Sequence, residues 1–119
     1  MGTKIVSVEL SSKEKFTVES KARKHIVIID QPVEGGGNDA GMTPLEYLFV
    51  SLGSCMVTVG VIIARQKHLP VNKIEAHVEG EIDTDVLMGK RNDIRPGFTS
   101  ITVKMMIDGD MTYEEKEKF

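Results

Sequence analysis

The residue best suited to covalent chemistry is Cys55, the only cysteine among 119 residues. A cysteine attacks through its thiolate, which needs a nearby cation, a helix N-terminus or a metal to favour it. Cys55 sits in the interior of a long helical pattern, too far from that helix's N-terminus, so a cation must come from elsewhere. Arg23, near the end of a strand, is one candidate. Arg91 and Arg95, in a later loop, are the others, and nothing local ranks the three. Glu46 is a candidate for holding such an arginine, beside a purely structural role at the helix start. The plain alternative for Cys55 is a small buried hydrophobe. His25, His68 and His77 are scattered, and no close set of Cys, His and carboxylates shows metal-ligand spacing. Neither a metal nor a cofactor is expected.

The element that must position Cys55 is a helix over residues 43–68, entered from a glycine-rich loop over 33–42. Thr43, Pro44 and Glu46 spell a capping box with proline at the first helical position. Leu45, Leu48, Leu52, Cys55, Val59 and Ile62 form one apolar row at helical spacing, widened by Phe49, Met56 and Ile63. Gly53 and Gly60 share a face seven residues apart, at a cost of about 1 kcal/mol each in helix propensity. Close approach of another helix, such as the same helix of a second copy, is the expected reason. Arg65, Lys67 and His68 suit the C-terminal end of the dipole.

The flanks alternate. Three short strands are expected in a meander over residues 4–30, the first over Lys4 to Leu10, with turns at residues 11–14 and near 22–24. Pro32 ends the third strand. The run Gly35-Gly36-Gly37 has neither a phosphate-loop nor a dinucleotide pattern and reads first as a flexible connector. Strands follow at 73–83 and 98–107, with a bulge before Ile101, and a helix opens at 112–119 with Thr112 and Glu115 as its capping box. The order is α+β, in one domain over 1–119.

Composition narrows the function. Net charge is -3 and aromatics are 5%, so neither a basic footprint nor stacking platforms invite nucleic acid. Residues 47–64 carry no charge, about the length that raises a membrane alarm. Glu46, the interior glycines and the alternating flanks favour a central helix wrapped in protein, and no membrane partner is expected. The start lacks a signal-peptide pattern, so a cytoplasmic setting is expected.

The segment GGNDAGMTPLEYLFVSLGSC resembles the signature of the OsmC/Ohr superfamily of osmotically induced and organic-hydroperoxide-resistance proteins. PVNKIEAHVEGEI and RPGFTSITVKMMIDG also resemble it, especially its uncharacterised OsmC-like branch. The resemblance implies an antiparallel sheet around a long central helix and an intertwined homodimer. It also implies reduction of organic hydroperoxides by a cysteine pair, with an outside dithiol as reductant. Cys55 matches the attacking cysteine and Arg23 the family arginine. Two departures stand out. The peroxidase glutamate directly follows the helix-starting proline, where this chain has Leu45. Glu46 lies one residue on, turned by about 100°, and matches the uncharacterised branch. No resolving cysteine is present, and the chain is expected to stop short of the family domain. Three functions therefore stand: an organic hydroperoxide peroxidase, a non-catalytic binder of a small apolar or thiol-bearing ligand in the dimer pocket, or a structural dimer with a core cysteine.

Overall fold

The structure, a computed structural model, describes residues 2–84, 89 and 97–119. Arg91 and Arg95 lie outside the described residues. The chain divides into two compact units, Met1–Leu48 and Phe49–Phe119.

In the first unit β1 (Glu9–Ser12), β2 (Val18–Ala22) and β3 (His25–Ile29) form an antiparallel sheet in that order. The first strand lies later than its alternation suggests. A strand needs a partner for its backbone groups as well as an apolar face. β2 has five residues, and their register spends them on Glu9–Ser12. Residues 4–8 therefore stay outside the sheet, with Ile5 and Val6 88% and 78% exposed. The turn moves to Lys13–Thr17, closed by the Lys13 N–H donating to the Thr17 carbonyl at 2.8 Å. The next hairpin is tighter. Ala22 pairs with His25, leaving Arg23-Lys24 as a two-residue turn with Arg23 at φ 56°.

The glycine run is not a free connector. A 3-10 turn, Val33–Gly35, ends on Gly36 at φ 92°. The chain then folds back so closely that a Cβ on Gly37 would strike the Gln31 carbonyl and one on Gly41 the Ile28 carbonyl. What it folds around is Asp30, whose side chain is fully buried. Its carboxylate accepts from the N–H groups of Gln31 (2.7 Å), Asn38 (3.2 Å) and Ala40 (3.1 Å) and from the Thr17 hydroxyl (3.1 Å). Burial alone would raise its pKa; the hydrogen bonds outweigh it and hold the carboxyl below the usual range.

Helix α1 (Pro44–Gln66) starts in the first unit. Thr43 accepts from the Glu46 N–H at 3.2 Å, and Glu46 accepts from the Thr43 N–H at 2.9 Å. The helix ends in a Schellman motif. Leu69 N–H donates to the Ala64 carbonyl (2.9 Å) and His68 N–H to that of Arg65 (3.3 Å), with His68 in the left-handed position at φ 53°.

In the second unit β4 (Val71–Ile82) and β5 (Phe98–Gly109) form a long antiparallel hairpin. Its register shifts between Glu81 and Ile82, which pair with Ser100 and Phe98. α1 lies on this hairpin through its glycine face. A Cβ on Gly53 would come 3.1 Å from Val78 Cγ2, and one on Gly60 2.9 Å from Ile74 Cδ1. The two glycines thus admit the chain's own strand, not a second helix as the spacing suggested. Leu48, Val59 and Ile62 of the apolar row are 51%, 53% and 48% exposed, while Gly53 and Ala64 are the buried residues of α1. Among the described residues Ala64 is the one buried hydrophobic side chain. By length and composition α1 is apolar enough to cross a membrane, and 11% of its most apolar window is buried inside the chain. A last short helix, α2 (Tyr113–Lys118), opens on Thr112, which accepts from the Glu115 N–H and is bonded in return.

Candidate functional site

Cys55 is exposed on α1. Beside it, wholly within the second unit, is a cavity of about 450 Å³, inside the range of small-molecule sites. The helix contributes Cys55, Met56, Val59, Gly60 and Ile63; the hairpin contributes Ile74, Met105 and Ile107; Lys116 and Phe119 close one end. The absent side chain at Gly60 keeps α1 close to Ile74. Apart from a thiol and one ammonium, the wall is apolar. It can bury the hydrocarbon part of a small molecule against a thiol, but it offers no acid–base pair.

Arg23 is exposed at the tip of the β2–β3 hairpin in the first unit and makes no ion pair among the described residues. Its left-handed backbone is uncommon for a non-glycine residue. The Glu46 carboxylate is engaged at the start of α1, also in the first unit. His77 pairs with Glu79 at 3.0 Å on an exposed strand face, and no group of three His, Cys, Asp or Glu is placed to hold a metal among the described residues.

Sequence reasoning missed two residues. Asp30 read only as the end of a strand; its signal was an acidic residue five positions before a glycine-rich run able to surround it. Lys116 read as helix surface, and no sequence feature distinguishes it from Lys118, because which face of a six-residue helix meets the cavity is decided by packing.

Helix, hairpins and cysteine together define an OsmC-like protein. The family model described as OsmC-like protein matches residues 36–119, and the chain belongs to that family. The fold is similar to that of an OsmC-like protein from Mycoplasma pneumoniae, with a TM-score of 0.82, 19% identity, and coverage of 97% of this chain and 77% of the other. It is similar also to a protein from Psychrobacter arcticus 273-4 titled an osmotic stress induced and detoxification response protein, with a TM-score of 0.76, 16% identity, and coverage of 98% and 80%. At these identities the likeness concerns the fold. No curated protein matches in sequence.

Proposed function

We propose that this chain binds a small apolar ligand in the cavity beside Cys55 and works as a homodimer, with the thiol contacting the ligand. The observation that carries this reading is the cavity itself: nearly all of its wall is hydrocarbon, aromatic or thioether, with Cys55 exposed on it. The homodimer is supported by the exposed large apolar side chains Leu52, Val59 and Ile62 of α1, of the kind that mark association. The test is ligand protection of the thiol. A neutral apolar probe, 1-octanol, should slow alkylation of Cys55 by iodoacetamide and give a binding isotherm by calorimetry. An unchanged alkylation rate together with no heat of binding refutes the reading.

A second reading is favoured by the exposed thiol on an apolar wall, where the organic tail of a hydroperoxide would rest. Cys55 thiolate would attack the outer peroxide oxygen, the O–O bond would break, and the alcohol would leave with a proton, giving a sulfenic acid. An outside dithiol would then reduce it. Arg23 and Glu46 carry the roles of thiolate holder and arginine holder in this scheme, so Arg23→Ala should slow it. Cumene hydroperoxide should oxidise Cys55 faster than hydrogen peroxide does. Equal and sluggish oxidation by both sinks this reading.

A further inference from the structure

Three residues on the cavity wall carry sulfur: Cys55, Met56 and Met105. Neither reading of the cavity uses the two thioethers. Met56 is 38% exposed and Met105 is half-buried, and an oxidant as small as hydrogen peroxide can go wherever an apolar ligand can. A thioether packs against hydrocarbon as a flexible apolar group, whereas its sulfoxide is polar. On a wall that is otherwise almost all hydrocarbon, covering the new oxygen with an apolar ligand strips its water and returns little. Met42 and Met106 are just as exposed, at 42% and 39%, and neither lines the cavity. Met106 follows Met105 on β5, where successive residues face opposite sides. Exposure alone therefore does not set Met56 apart; its place on the wall does.

We infer that Met56 is an oxidation site, and that its sulfoxide closes the cavity to apolar ligands until the thioether is restored. The oxidant is a peroxide. The sulfur gives an electron pair to one peroxide oxygen and the O–O bond breaks. In hydrogen peroxide the second oxygen leaves as water, taking the proton that the first one carried. Sulfur loses two electrons and the peroxide gains them. Reversal belongs to thiol-dependent methionine sulfoxide reductases. Met105, less exposed, adds to the effect more slowly. The inference rests on the ligand-binding reading and adds its regulation.

The experiment is calorimetry of the full chain with 1-octanol before and after a limited dose of hydrogen peroxide, with peptide mass spectrometry locating the added oxygen. Dithiothreitol after the dose returns a sulfenic acid or disulfide at Cys55 to the thiol and leaves sulfoxides in place. Octanol affinity should then be about tenfold lower in protein oxidised at Met56. Treatment with the two methionine sulfoxide reductases, one for each epimer, should restore it. Met56→Leu conserves volume and cannot be oxidised; compared with itself, its affinity should change less than about twofold across the dose. Met106→Leu should lose affinity on oxidation as the parent does. A parent carrying oxygen at Met56 that binds octanol as before overturns the inference and leaves the ligand-binding reading intact. So does oxygen at Met42 and Met106 with Met56 unmodified. An unoxidised parent that binds no octanol overturns both. Where circular dichroism shows that Met56→Leu has not folded, the parent decides: affinity still low once mass spectrometry shows the sulfoxide removed overturns the inference.

Discussion

Replacing Gly80 by alanine should loosen the packing of α1 on its hairpin, and the structure gives the size of the effect. A Cβ there would lie 2.8 Å from the Ser100 carbonyl oxygen, 2.9 Å from Phe49 Cζ and 3.0 Å from Phe98 Cδ1. The carbonyl belongs to the neighbouring strand and cannot rotate away. The two rings, with centroids 4.9 Å apart, would have to part. Overpacking of this kind is worth about 1–3 kcal/mol, and spoiling an aromatic pair about 0.5–1.5 kcal/mol. Removing glycine's extra freedom in the unfolded chain returns about 0.5–1 kcal/mol. The balance is a destabilisation of about 2 kcal/mol, which for a domain of this size lowers the melting temperature by roughly 8 °C or more. Thermal circular dichroism at several protein concentrations measures it and separates unfolding from dissociation. Gly53→Ala is the comparator: its Cβ comes 3.1 Å from Val78 Cγ2 and makes an ordinary 3.9 Å contact with Ala76 Cβ, and about 1 kcal/mol of helix propensity offsets the crowding, so its melting point should barely move. A Gly80→Ala protein melting within about 2 °C of the parent would refute this account of the packing.

Three further outcomes follow from the geometry. Asp30 titrates below its unfolded value when folded, so its contribution is complete above about pH 4 and is lost as pH falls through the lower folded value. Asp30→Asn should therefore be less stable than the parent in urea at neutral pH, with the difference narrowing in acid; a constant difference contradicts the assignment. Val59→Glu, placing a charge in the bare row of α1, should halve the mass seen by light scattering while leaving the far-ultraviolet spectrum intact, whereas an unchanged mass excludes that face from the dimer contact. Thr43→Ala removes the cap that accepts from Glu46 N–H and should cost about 1 kcal/mol, read as a lower urea midpoint.

What could be read from the sequence was what neighbouring residues decide among themselves. The box of Thr43, Pro44 and Glu46 marks the start of α1 because its hydrogen bonds span three residues. The register shift opposite Ile82 and Phe98 is signalled by a broken alternation before Ile101. The side of α1 that faces inward was not readable: its sides are nearly equally apolar, and the choice was made by the glycines, whose partner is a strand about twenty residues further on. Residues 4–8 look like a strand because their pattern says nothing about whether a partner is present. At the site, the thiol was recognisable by type, but its cavity arises from α1, the hairpin and α2 together. The Lys116 position depends on all three.

The uncovered row along α1 bears on the lifetime of the chain in a cell. A newly made copy presents Leu48, Val59 and Ile62 to its surroundings until something occupies that face, and such surface attracts chaperones and proteases. If a second copy is the occupant, survival depends on meeting one, so steady-state abundance should rise faster than synthesis rate when expression is low. On that condition the bare face would set a lower limit on useful gene dosage.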